Sequence, residues 1–293
     1  LKVEIECASC IIHRGCLETQ EATKDSALQF KAISALLEFL NREFNPNAVP
    51  AYLGTERDRI IKRVTGNRDP YKERKRISNQ KALETLPFAQ RIVLEEKKSA
   101  ARFRKACLCS IVGNIIEFDI PDHSFEFDEL RQLIQNAEKD LAIDDIPKIF
   151  DLAQKSKGIL FLTDNAGEIV FDTLLIQELK KLGAHVIVAV KGDAVLNDAT
   201  MEDAKLVGMH EIADKIITTG TDVVGLCLQK CSKEFLKFYE EADFVIAKGM
   251  GYAETLTETS LKQPHALLMR TKCHPVANYF GVKIGKNVAK LLG

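Results

Sequence analysis

A chain of 293 residues with 46% hydrophobic and 28% charged side chains is long enough for one large domain or two ordinary ones, and too apolar to remain disordered. Its 41 Lys and Arg stand against 42 Asp and Glu, and the net charge of -1 argues against a protein built to grip nucleic-acid phosphates. No run approaches the roughly 18 uninterrupted apolar residues of a membrane span, and the N-terminus lacks a signal core, so the expected setting is the cytoplasm with no membrane partner. The basic run Lys72-Glu73-Arg74-Lys75-Arg76 reads first as a solvated helix face.

Up to about residue 155 the hydrophobic pattern is helical. Residues 26–44 carry Ala27, Leu28, Phe30, Ile33, Leu36, Leu37 and Leu40 as a stripe of 3.6-residue period. Helices are expected at 50–64 and 70–94, each with a proline in the permitted first position, and then at 101–116, 127–141 and 145–153. Beyond 155, short apolar strands alternate with helices. Strands are expected at 158–163, 185–190, 215–218, 243–247 and 266–270, and helices at 168–182, 199–207, 232–241 and 252–257, with a turn near 275–279. That alternation implies right-handed crossovers and a mostly parallel sheet. The expected fold is therefore α/β: a Rossmann-like three-layer α/β/α sandwich over 156–293, preceded by an all-helical N-terminal domain over 1–155.

In such a sheet, ligands sit beyond the carboxyl ends of the strands. The first expected strand runs into Thr163-Asp164-Asn165-Ala166-Gly167-Glu168, which places a carboxylate and a carboxamide at that edge. Later strand ends bring Lys191-Gly192-Asp193, Asn197-Asp198-Ala199-Thr200, Thr218-Thr219-Gly220-Thr221-Asp222, Lys248-Gly249-Met250-Gly251-Tyr252 and Arg270-Thr271-Lys272-Cys273. Oxygen donors suit a hard cation, and lysines beside them suit phosphate oxygens, so this edge reads as a metal and phosphate site. Each residue also has a plainer use: Asp164, Asn165 or Asp198 as a helix cap, Lys248-Gly249 as an exposed turn, Lys272 as a snorkelling surface side chain. Their joint occurrence at one edge favours the site.

A dinucleotide or methyl-donor site would want a glycine-rich turn after the first strand, and only Gly167 is present. A haloacid-dehalogenase-type phosphatase places a second aspartate two residues after its nucleophile, where this chain has Ala166. The eight cysteines are too few for a disulfide scaffold. Cys7-Ala8-Ser9-Cys10 has no second pair at zinc-finger spacing, and Cys107 and Cys109 read as small buried hydrophobes.

Asp164-Asn165-Ala166-Gly167-Glu168 with Asp172 resembles the signature of the metal-dependent damage-control phosphatases, a former family of unknown function once proposed to include a carboxyl methyltransferase. The resemblance extends through Asn197-Asp198-Ala199-Thr200, the stretch from Lys248 to Leu256, Lys272-Cys273, Gly113-Asn114-Ile115-Ile116, and Asp69-Pro70-Tyr71 with Lys75 and Asn79. Cys7 and Cys10 match its prokaryotic branch. It implies a divalent metal (Mg2+ or Mn2+, with Co2+ or Ni2+ also suited) held by Asp164, Asn165 and Asp198, which are also the catalytic set. It further implies that Asn114, Glu168, Lys248, Gly249, Met250, Gly251, Tyr252 and Lys272 face a small phosphorylated metabolite. Glu117 stands where the family's Gly-Asn-x-x-Asp motif has Asp, and is not carried into the site. The Arg-Thr-x-Lys motif of the eukaryotic branch is not reproduced, because Lys272 directly follows Arg270-Thr271.

The expected function is hydrolysis of small phosphorylated metabolites by a metal-activated water, with Glu168 or a ligand aspartate as base. Two alternatives remain from the sequence: a methyl-donor-dependent carboxyl methyltransferase, and a zinc or redox regulatory protein using Cys7, Cys10 and Cys273. Nothing in the sequence sets the oligomeric state.

Overall fold

The computed structural model describes residues 1–116 and 127–293, apart from the Phe127 side chain. In chain order come α1 (Glu6–Ala22), α2 (Ser26–Glu43), α3 (Pro50–Thr65), α4 (Lys72–Leu94), α5 (Ser99–Gly113), α6 (Leu130–Asn136), β1 (Leu141–Asp144), α7 (Ile146–Lys155), β2 (Gly158–Leu162), α8 (Glu168–Lys181), β3 (His185–Val190), α9 (Met201–Leu206), β4 (Lys215–Thr218), α10 (Lys233–Glu241), β5 (Phe244–Lys248), α11 (Gly249–Leu256), β6 (His265–Arg270), α12 (His274–Phe280) and β7 (Asn287–Leu292). Local chemistry sets several ends. Asp25 accepts from the amides of Ala27 and Leu28 to start α2, and Ser232 accepts from Phe235 N to start α10. Pro50 opens α3, and Gly66 closes it at φ 75°.

Among the described residues the sheet has seven strands in the order β1-β7-β6-β5-β2-β3-β4. The five from β6 to β4 are parallel, while β7 runs antiparallel to β6 and pairs in parallel with β1. The chain winds outward from β2 through β3 to β4, then returns to lay β5 against the other side of β2. The crevice between β2 and β5 is therefore where the strand order reverses, the standard place for a ligand in an open parallel sheet.

Strand periodicity divides the core between two faces. Ile159 and Phe161 point into one apolar cluster with α5 and α8; Leu160 and Leu162 point into another with α10, α11 and α12. β2 is buried on both sides, so its sequence is a continuous apolar run and not an alternating one. Helices α1, α2 and α3 form a smaller cluster of their own around Leu36, Phe39 and Leu53. A seam of Ala51, Tyr71, Val195, Leu196 and Val224 joins α3 to the loops beyond the strands. These three helices thus cover the carboxyl edge of the sheet.

Two expectations change. The helix expected over 127–141 is a 3-10 turn followed by α6, and Leu141 instead opens β1, paired with Asn287 of the last strand. A strand of four residues created by a partner almost 150 positions away leaves little periodic trace. Strand β7 was likewise absent from the expected set. The change of character near residue 155 marks a change of secondary structure and not of packing: β1 belongs to the sheet, and α4, α5 and α7 share one core with α8. The portion before 155 is accordingly not all-helical. Glu117 lies outside the described residues.

Candidate active site

The strand-end residues converge at the β2/β5 crevice. Asp164 and Asn165 follow β2, and a bridge between Asn165 and Asp198 brings the loop after β3 across. Backbone bonds lock this crossing: Ala166 N donates to Asn197 O (2.9 Å), and Ala199 N donates to Asp164 O (2.7 Å). None of the plainer uses holds. α8 begins after Gly167 (φ 80°) with no side-chain cap, and α9 is capped by Thr200 in a capping box with Asp203. Asp164, Asn165 and Asp198 cap neither helix. Lys248 is wholly buried, so it is not a surface turn, and Lys272 is 4% exposed with Nζ donating to Asn114 O at 2.6 Å.

The side chains behind the crevice fix its orientation. Asn114, at the end of α5, donates from Nδ2 to Asp164 Oδ2 (2.9 Å) and Glu168 Oε2 (2.8 Å), while its Oδ1 accepts from Arg270 N (3.2 Å). Asn165 also spends its Nδ2 on Asp164 Oδ2 (2.9 Å) and Glu168 Oε2 (3.0 Å). That arrangement turns its carbonyl oxygen away from these partners. Asn79, on α4, accepts from Gly167 N and donates to Asp203, both at 2.7 Å, pinning the turn to α4 and α9.

Gly249 makes the crevice possible. At φ 83° it opens α11, and a Cβ there would lie 1.8 Å from Asp164 Oδ2. Any larger residue would push into the carboxylate, so Asp164 occupies room that only glycine leaves. The donor set of two carboxylates and one carboxamide oxygen suits a hard divalent cation better than a soft one. Among the described residues no group of three or more His, Cys, Asp or Glu has metal-holding geometry, so a metal here depends on the Asn165 oxygen joining the two aspartates.

The structure separates the expected site residues into two shells. Asp164, Asn165, Asp198, Met250, Gly251 and Lys272 line a cleft of about 280 Å³. Lys248, Glu168, Asn114, Gly249 and Tyr252 lie behind its wall. Lys248 Nζ is held by Glu168 Oε1 (2.5 Å), Asp172 Oδ1 (2.8 Å) and the Ser110 carbonyl (3.0 Å). Burial alone would lower its pKa, but the charges of Asp172 and Glu168 reverse that and carry it well above the usual lysine value. Burial pushes the Asp172 carboxyl up to about 6, with Lys248 opposing and Glu168 adding to the rise. The triad of Lys248, Glu168 and Asp172 is wholly buried behind the cleft wall, and it fixes the position of Glu168.

The sequence placed Lys191 at the strand-end edge without giving it a role in the site, and it did not mark Ser110. Lys191, 2% exposed, donates to the carbonyls of Val223 (2.8 Å) and Gly225 (2.9 Å), lies 3.4 Å from Asp198 Oδ2, and sits over the Tyr252 ring. Its position at the end of β3 was the available signal. Ser110 donates to Asp172 Oδ1 at 2.6 Å from within an apolar helix, where nothing local marks it. Among the described residues no disulfide joins the eight cysteines, and Cys7, Cys10 and Cys273 line the cleft. Burial pushes the Cys7 thiol up to about 11 and Cys273 up to about 12, which holds both protonated near neutrality.

Two outcomes follow. Lys248→Met leaves Glu168 and Asp172 buried without their cation and should cost about 3–5 kcal/mol in urea unfolding; a loss below about 1 kcal/mol contradicts the triad. At pH 8 an ordinary thiol is about one-quarter thiolate, whereas a pKa near 11 leaves about 0.1%. Because the shift is upward, Cys7 in the native protein should alkylate with iodoacetamide about 200-fold more slowly than in urea, read by peptide mass spectrometry. Its rate should climb about tenfold per pH unit toward pH 10; equal native and unfolded rates at pH 8 would refute the burial.

Comparison with known proteins gives the family. The sequence profile of the damage-control phosphatase ARMT1-like domain matches residues 3–288. An uncharacterised protein of Methanocaldococcus jannaschii is 41% identical over 292 residues, covering 98% of this chain and 95% of that one. A protein of Archaeoglobus fulgidus named a damage-control phosphatase is 36% identical over 293 residues, covering both chains in full. The crystal structure of a DUF89-family protein from Pyrococcus horikoshii superposes with a TM-score of 0.86 at 33% identity, covering 99% of this chain and 98% of the other. The chain belongs to the damage-control phosphatase ARMT1-like family.

Proposed function

We propose that this protein is a divalent-metal-dependent phosphatase that hydrolyses small phosphorylated metabolites such as sugar phosphates or their damaged forms. The observation that carries the reading is the convergence of Asp164, Asn165 and Asp198 at the sheet's switch point, in a cleft that also holds Lys272. Family membership supports it, as does the name damage-control phosphatase borne by relatives from Archaeoglobus fulgidus and Pyrococcus horikoshii. The cleft of about 280 Å³ suits a metabolite and not a macromolecule. A cytoplasmic location goes with eight cysteines that form no disulfide.

Asp164, Asn165 and Asp198 would hold the cation, Mg2+ or Mn2+ with Co2+ and Ni2+ as further candidates. When bound, it supplies Lewis-acid polarisation of a phosphoryl oxygen and lowers the pKa of water. The protein's own residues do the rest. The Lys272 ammonium, anchored on the Asn114 carbonyl, meets negative charge on the phosphoryl oxygens as the leaving group departs. Asn114 and Glu168 hold Asp164 and Asn165 in one orientation, so no reorganisation is required during the reaction. Glu168 has both carboxylate oxygens engaged and is fully enclosed, which moves the base assignment to Asp164 or Asp198.

Purified protein stripped with chelator and reloaded with Mg2+, Mn2+, Co2+ or Ni2+ should release phosphate from a panel of sugar phosphates. Asp164→Ala should lower that rate by at least about 100-fold. Full activity in stripped protein or in Asp164→Ala would overturn the reading.

A further inference from the structure

The cleft has a second wall, built by the helices that cover the sheet edge. Arg57 on α3 and Arg14 on α1 line the same cleft as the oxygen donors Asp164, Asn165 and Asp198. Arg57 is only 1% exposed and is among the largest fully buried side chains described. Its Nε donates to Glu18 Oε2 at 3.0 Å, and Glu18, on α1 one turn beyond Arg14, is completely buried. Gly15 lies where these helices meet. A Cβ there would come within 2.4 Å of Leu36 Cδ2 and 3.4 Å of Arg57 Cδ, so its absence leaves room for the arginine stem to reach the cleft.

A guanidinium kept out of water is a costly way to fill space between two helices; an apolar side chain of similar size would pack there without the desolvation penalty. Its planar fork matches the spacing of phosphoryl oxygens, and the carboxylate at Nε sets the plane of the guanidinium. The sheet side of the cleft brings one ammonium, Lys272, because Lys248 is committed to Glu168 and Asp172. A phosphoryl group carries more negative charge than one ammonium balances.

We propose that Arg57, oriented by Glu18, and Arg14 bind the substrate's phosphoryl group, so that anion recognition is shared between the helical cover and the strand ends. Arg57 and Arg14 are then substrate-binding residues, and Glu18 is a positioning residue that acts through Arg57. This assignment rests on the phosphatase reading.

Calorimetric titration with inorganic phosphate, together with steady-state hydrolysis of a sugar phosphate, tests it in the metal-loaded full chain. Arg57→Lys and Arg14→Gln should each raise the phosphate Kd and the substrate KM by about 10-fold or more, with kcat changed by less than about threefold. Glu18→Gln should raise KM by a smaller factor. Arg14 is only half-buried, so Arg14→Gln decides the matter if Arg57→Lys does not fold. Unchanged Kd and KM in the arginine variants, with an active wild type, overturn the arginine assignment and leave the phosphatase reading standing. A wild type that neither binds phosphate nor hydrolyses sugar phosphates overturns both.

Discussion

Lys248 has no access to water, and its ammonium must find all its compensation inside the protein. It does so by drawing together three elements that are far apart in sequence: the end of β5 that carries it, α8 with Glu168 and Asp172, and the Ser110 carbonyl of α5. Much of the crevice geometry is a consequence. Glu168 gives one oxygen to Lys248 and the other to Asn114 and Asn165, and these two amides in turn orient Asp164. A charge pair this deep adds little net stability when complete and costs a great deal when broken, so its contribution here is to geometry.

The topology explains why these residues meet. Winding outward from β2 and returning at β5 leaves a crevice between neighbouring strands whose following turns diverge. Asp164 enters from one turn and Gly249 from the other, and the fit is close enough that a methyl group at Gly249 would occupy the position of the Asp164 carboxylate. The loop after β3 then brings Asp198 across, with Lys191 beneath it. Helices α1 and α3 close the remaining side, so the cleft is bounded by both parts of the chain.

What the sequence disclosed follows the same physics. Strand-end logic singled out Asp164, Asn165, Asp198, Lys248 and Lys272, because a parallel sheet places the residue after each strand at one edge. The direction each side chain takes was not legible. Lys248 was expected to face the ligand, yet two acids four residues apart on α8, Glu168 and Asp172, claim it from within the core. That spacing, with Ile169, Val170 and Phe171 between the two acids, was a signal of a buried cation to come. The pairing of Arg57 with Glu18 joins residues 39 apart on separate helices, and no local pattern records it. Strands β1 and β7 escaped for a related reason: each is defined by its partner more than by its own periodicity.

We propose that Asp164, Asn165 and Asp198 form one preorganised cation site whose shape depends on Gly249. Mn2+ titrated into chelator-stripped protein, with free ion followed by electron paramagnetic resonance, tests this without reference to any substrate. One ion per chain is expected in the wild type. Affinity is expected to weaken by at least about 10-fold in both Asp198→Asn and Gly249→Ala while circular dichroism stays that of the wild type. Unchanged Mn2+ affinity in both variants would contradict the proposal.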